Sequence, residues 1–464
     1  MSKLIKIGII SLPAFALGAA YGLADTDSFS YVVSLLRGQN SLAFFNLANY
    51  PDIFSKLFYL ALIIGSCLGA ALALTGPDIR RYPFQLLTFG ACVVIAYAAA
   101  HFLIGSKTGI LASLAGTPMR PWYLFVGLPL MAYSASTRSV HLVPFAIGFL
   151  AASAVKCLVV AAIYATGGGV AFLDQIRSMV ADGGFLTNLT VAVLCGAVLV
   201  LWFRSSKYPF GSFVSMGLLF LFLIPIIGSF RRSMLVYTVI AVALGLIFYY
   251  HIKGQLVRRL PTMILSALIL GGVILFGYIT FFGLEDATER LRSLTLKSET
   301  SQYAGSNNYY LDDWMSWTIL VRTKGIVGIG FNTDYGLTDR LTIDAASAAG
   351  MEVPLHVGMF ELWVRLGIVG ALFHILSFVL LPLWCIFKKR PCGDERLVIA
   401  SSFAASFLVL VGLFPFSPPQ YMSINMMVPC GIAWGLLAAA YAKGAENSNP
   451  KFLNPRRVRR FSHV

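Results

Sequence analysis

Apolar residues run along this chain in blocks of about twenty, long enough to cross the ~30 Å hydrocarbon core of a bilayer as helices. Short polar breaks separate them. Twelve spans can be set at residues 4–23, 54–75, 84–105, 122–136, 140–166, 186–204, 212–230, 233–250, 260–283, 357–386, 396–415 and 421–441. A transmembrane barrel would show shorter segments of alternating character, so the pattern predicts an all-α polytopic membrane protein. It divides the chain into helices one to nine over residues 1–283, an outer loop over 284–355, helices ten to twelve over 356–441 and a basic tail over 442–464. The first block carries Lys3 and Lys6 at its start, as a signal peptide does, but no convincing cleavage site precedes Asp25–Tyr50. It is read as a retained helix. The fourth span is short and contains Pro129.

Composition agrees with this pattern and charge orients it. Of 464 residues, 58% are hydrophobic and only 12% charged. With the N-terminus inside, the cytoplasmic loops, tails and adjoining span ends hold 20 Lys/Arg against 4 Asp/Glu, and the rest holds 15 against 16. That asymmetry follows the positive-inside rule and places both termini in the cytoplasm. The net charge of +15 therefore faces lipid headgroups and predicts no nucleic-acid partner; the tail PRRVRRFSHV faces anionic lipid. Seven scattered cysteines form no CxxC, no metal spacing and no disulfide framework. They are read as small buried hydrophobes, and no metal or cofactor is expected.

Two outer features stand apart. Spans seven and eight are joined by the tight turn GSFRRSM, with Arg231 and Arg232 side by side. Such arginines can snorkel to lipid phosphates, or clamp a phosphate bidentately beside the free N–H groups at the start of a helix. The loop from Leu284 to Leu355 is far longer than its neighbours and holds Tyr309, Tyr310, Trp314 and Trp317 within YYLDDWMSWTILVRT. One apolar face there predicts amphipathic helices lying at the membrane surface as a lid or cap.

Charges inside the membrane are costly and mark function. Lys156 lies in span five, Glu361 and Arg365 in span ten, and His101 closes span three. With Arg231, Arg232 and His356 they belong by topology to the outer half of the bilayer. Together they describe an outward-facing chamber for a dianion or polyanion at the lipid surface. Each has a plainer role available. Glu361 and Arg365 stand i,i+4 and can neutralise each other, Lys156 can reach the interface by its stem, His101 can be interfacial, and His374 is read as packing. His356 and Glu361 are five apart, roughly 140° around a helix, which is no metal pair.

The stretch from Gly325 to Gly370, GIVGIGFNTDYG followed later by LHVGMFELWVRLGIVG, gathers glycines, a histidine and charges at the mouth of a span. In order and spacing it resembles the O-antigen ligase and O-antigen polymerase superfamily of bacterial inner-membrane glycosyltransferases. The matching positions are Gly328 and Gly330, then His356, then Gly367 and Gly370, with the arginine turn from Ser229 to Ser233 upstream. The resemblance covers residues 215–385; the first half matches only in topology. Val357 stands where the pattern has Asn and Arg365 where it has Glu. A second arginine of the family corresponds to Tyr310, or is displaced to Arg290 or Arg292.

The resemblance implies a C-type glycosyltransferase architecture with about twelve helices and a large periplasmic loop between helices nine and ten. It implies a substrate of glycan on undecaprenyl diphosphate, metal-independent transfer, and either another glycan repeat or lipid A-core as acceptor. His356 would serve as base or acceptor-orienting group. Arg231 and Arg232 would hold the diphosphate, with Lys156 and Arg365 as further candidates and Glu361, His101, Gly328 and Gly330 supporting. A polymerase for exopolysaccharide or O-antigen is preferred over a ligase. A secondary transporter or lipid-linked glycan flippase is the alternative from another class. Against it stand the outer position of the long loop and the presence of Glu361 as the one acidic residue within the spans.

Overall fold

A segment surrounded by hydrocarbon must satisfy its backbone polar groups within itself, and a helix does so. The computed structural model describes residues 12, 14–22, 64, 87, 90–97, 100, 127–130, 132–133, 142–165, 184–205, 209–228, 232–292, 317–318, 321–322, 325–328, 358–388, 394–413 and 424–447. Nearly all of these are helical. The longer elements are α1 (Leu142–Ala165), α2 (Gly184–Ser205), α3 (Pro209–Gly228), α4 (Arg232–Ile252), α5 (Leu256–Arg292), α6 (Gly358–His374), α7 (Leu381–Phe387), α8 (Glu395–Leu413) and α9 (Ile424–Asn447). A π-helical stretch, Ile375–Leu380, joins α6 to α7. Four helical segments among the described residues are long and apolar enough to cross a membrane: Phe210–Ile227, Leu235–Ile252, Leu362–Phe387 and Glu395–Leu413. The protein is an all-α membrane protein. Spans one to four fall largely outside the described residues.

The bundle is organised around α8. Fifteen of its residues are buried, from Leu397 to Gly412, and α4, α9, α2 and the π-helical stretch pack on it. Its small polar residues explain how so many neighbours fit. Ser401 and Ser402 donate to the Val398 carbonyl at 3.1 and 2.8 Å, and Ser406 to that of Phe403 at 2.9 Å. The hydroxyls are satisfied inside the helix, so partners can approach closely. Asp394 caps the start, accepting from the Arg396 backbone N–H at 3.1 Å. Elsewhere Thr190 of α2 and Thr238 of α4 share a buried hydrogen bond of 3.0 Å.

Helix crossings that periodicity does not reveal are made by paired small residues. A Cβ added to Gly18 would lie 2.0 Å from the Phe145 carbonyl oxygen, and one added to Gly148 would lie 2.1 Å from that of Phe15. Segment 14–22 and α1 thus touch backbone to backbone, with Gly22 against Ala152 one turn on. Tyr21 fills the flank, its ring 5.4 Å from that of Phe149. On α9, Gly435 meets Ala132 and the Tyr133 backbone in the same way, and Gly431 makes room for the Leu128 side chain. This small-xxx-small spacing is the usual means of close approach in lipid, where apolar burial alone does not drive helices together.

Two segments depart from simple spans. α5 continues past the ninth span to Arg292, bending at Gly283 (φ 79°, ψ 165°). Much of it is exposed, including Val257, Leu265, Leu268 and Phe276, as suits a helix facing lipid. The tenth span, expected as one helix over 357–386, is instead segmented. Its backbone breaks at Gly367 (φ 59°, ψ −151°), widens into the π-helical stretch, and resumes as α7 with Pro382 in its first turn.

Candidate active site at a broken helix

The break at Gly367 is where the sequence pattern becomes geometry. Residues 325–328 form a turn that seats against it, and their carbonyls are tied down one by one. Gly325 accepts from the Trp363 indole Nε1 at 3.3 Å. Ile326 accepts from the Ile368 backbone N–H at 3.1 Å. Val327 accepts from the Tyr97 hydroxyl at 2.7 Å. The Gly325 N–H donates in turn to the Val321 carbonyl at 3.0 Å. Ile368 stands just past the break, where no helical partner remains for its N–H. The turn supplies one.

Two glycines make this possible. Gly328 has φ 81° and Gly367 φ 59°, conformations that L side chains rarely adopt. They also leave no space for one. A Cβ on Gly328 would lie 2.5 Å from the Arg365 carbonyl oxygen and 2.6 Å from the Gly367 nitrogen. One on Gly367 would lie 2.4 Å from the Ile326 carbonyl oxygen and 2.8 Å from the Gly328 nitrogen. Each glycine fills the place where the other's side chain would be. Irregular backbone at membrane depth is tolerated where it is buried in protein or lines a cavity, and here the turn covers the break.

Aromatic rings brace the assembly. Trp317 stacks on Phe360 with centroids 4.6 Å apart and meets Trp363 edge-on at 5.2 Å. Such pairs contribute about 0.5–1.5 kcal/mol each beyond their buried area. Trp317 comes from the aromatic stretch of the long loop, and that residue is held against the first turns of α6.

Of the residues selected from sequence, the structure brings together Gly328 and Arg365, through the Arg365 backbone. Arg365 is 3% exposed and lies two positions before the break. Lys156 is equally buried, on α1, which packs chiefly on α2 and α3. Arg232 opens α4 and Glu361 lies in the first turn of α6. His101, Arg231, Gly330 and His356 lie outside the described residues, as do Tyr309, Tyr310 and Trp314.

Sequence reasoning missed three contributors. Tyr97, Trp363 and Phe360 carried no signal beyond being aromatic in apolar surroundings. His374 is buried, as a packing role implies, but it also works as a cap: its Nε2 lies 2.8 Å from the Gly412 carbonyl oxygen. A carbonyl only accepts, so that nitrogen carries the proton. Gly412 stands in the last turn of α8, where carbonyls lack helical partners. No family model matches this chain, and none of the curated proteins matches it at a significant level.

Proposed function

We propose that this protein transfers a glycan from undecaprenyl diphosphate to an acceptor hydroxyl at the outer face of the bacterial inner membrane, as an O-antigen or exopolysaccharide polymerase. The observation that supports it is the interlock of Gly328 with Gly367. These glycines belong to separate parts of the pattern that resembles the ligase and polymerase superfamily, 39 positions apart, and they meet in one contact. The contact anchors the long loop on the helix that carries Arg365 and begins two residues after His356. In this scheme about twelve helices cross the membrane, both termini are cytoplasmic, and the loop of residues 284–355 covers the sugar.

The chemistry is a displacement at the anomeric carbon. The acceptor oxygen forms the new glycosidic bond while the bond to the diphosphate oxygen breaks. His356 takes the acceptor proton, a task suited to neutral imidazole near pH 7. Arg231 and Arg232 hold the departing diphosphate, with Lys156 and Arg365 adding positive charge. The covering loop keeps water from the sugar and limits hydrolysis.

The broken helix favours one other reading. Discontinuous helices also form substrate sites in transporters, so a lipid-linked glycan flippase is the second candidate. Protein in lipid nanodiscs, supplied with a repeat unit on undecaprenyl diphosphate, distinguishes the classes. A ladder of products without lipid A-core supports the polymerase. A product formed only with lipid A-core identifies a ligase. No product from several glycans, with translocation of the lipid-linked glycan in liposomes, identifies the flippase.

A further inference from the structure

The opposite end of the bundle carries a second set of charges that transfer chemistry does not use. There the ends of α2, α4, α7 and α9 meet the starts of α5 and α8. The contacts are specific. The Tyr249 hydroxyl donates to Glu395 at 2.6 Å, and Lys253 pairs with the same carboxylate. The His251 ring meets that of Phe387 edge-on at 5.4 Å. Among the described residues this end holds Arg204, Lys253, Arg258, Arg259, Lys388, Arg396 and Lys443 against Asp394, Glu395 and Glu446, and it is the end that the charge asymmetry assigns to the cytoplasm.

One cation there is held in place. The Lys388 ammonium lies 4.2 Å from the centroid of the Trp384 ring and 5.6 Å from that of Tyr441. It donates to the Tyr441 hydroxyl at 3.2 Å. The two ring centroids are 5.4 Å apart. Trp384 is 46% exposed and Phe387 60%. A lysine loses rotamer entropy when it binds an anion; contacts with the two rings and the Tyr441 hydroxyl favour this position of the ammonium and reduce that loss. An ammonium has three N–H donors, so a phosphate oxygen can accept a second of them beside the one given to Tyr441. Lys389 and Arg390 follow directly in the sequence. Arg396 repeats the arrangement over Trp202, at 4.8 Å.

From this juxtaposition we infer that Lys388, Trp384 and Tyr441 form a binding site for the phosphodiester headgroup of an anionic diacyl lipid in the cytoplasmic leaflet. Charge complementarity supplies the attraction and the apolar surface identifies the source. Trp384 and Phe387 offer exposed rings to a glycerol backbone and acyl chains beside the ammonium, which a soluble phosphate would leave uncovered. Trp is also the residue that settles at the level of headgroups.

The test uses the full chain in detergent, charged with phosphatidylglycerol or phosphatidylcholine, with retained lipid counted by native mass spectrometry. Preferential retention of phosphatidylglycerol is expected. A juxtamembrane basic residue contributes about 1 kcal/mol, so Lys388→Ala should weaken that retention about fivefold, and Lys388→Arg should restore most of it. Trp384→Leu keeps an apolar side chain and removes the ring face, and it should weaken retention as well. The side chains are exposed, and an unchanged elution volume confirms that each variant is folded. Equal retention of the two lipids, or retention unaffected by Lys388→Ala, would overturn the site. Displacement of the lipid by inorganic phosphate would assign the cation to a soluble anion instead and overturn it too.

Discussion

Replacing Gly367 with Ala tests the interlock most directly. The native backbone there, φ 59° and ψ −151°, lies in a region essentially confined to glycine, and an L-residue held in it costs on the order of 1–3 kcal/mol. The new methyl would stand 2.4 Å from the Ile326 carbonyl oxygen and 2.8 Å from the Gly328 nitrogen. Both are backbone atoms, so no side chain can swing away to admit it and the turn must lift off. Lifting breaks the Ile368 to Ile326 hydrogen bond, worth about 1 kcal/mol, and strains those from Tyr97 and Trp363. The expected loss is about 2–4 kcal/mol, sizeable against the 5–15 kcal/mol typical of whole proteins. Equilibrium unfolding in mixed detergent micelles, followed by tryptophan fluorescence, measures it. Gly328→Ala should behave alike, and the double variant should lose about as much as either single one, because both break one contact. A single variant within about 0.5 kcal/mol of the parent, or strict additivity in the pair, refutes the interlock.

Four further outcomes are expected. His374→Leu removes the proton that the Gly412 carbonyl accepts and should cost about 1–3 kcal/mol in the same unfolding assay; a neutral result would return His374 to packing alone. Gly18→Leu or Gly148→Leu should separate segment 14–22 from α1, detected as lost crosslinking between cysteines placed on the two helices, whereas an intact crosslink would show that the crossing tolerates bulk. Glu395→Gln should lower stability by under about 1 kcal/mol, since its partner Lys253 and Glu395 itself are 31% and 37% exposed, and a larger loss at high salt would contradict a screened surface pair. His356→Ala should abolish glycan transfer in nanodiscs while lipid-diphosphate binding persists, and retained turnover would remove it from the mechanism.

Helix positions were legible from sequence because each span needs a nearly unbroken apolar run of fixed length. Spans five to eight and eleven lie within a few residues of α1, α2, α3, α4 and α8. The glycines at 328 and 367 were legible as a pattern. Their meeting was not, since nothing local to either position names the other. Gly18 with Gly22 and Gly431 with Gly435 show small-xxx-small spacing in the sequence and were readable signals of close crossings. The partners they select, Phe145 and Ala132, depend on how the whole bundle packs.

The sequence by itself determined that this is a helical membrane protein and where most of its described helices lie, because the bilayer imposes length and polarity on each segment separately. Only the tertiary structure decided that the tenth span is broken, that a distant turn fills the break, and that His374 caps a neighbouring helix. Those are meetings of backbone atoms across dozens of residues, and local apolar pattern carries no record of them.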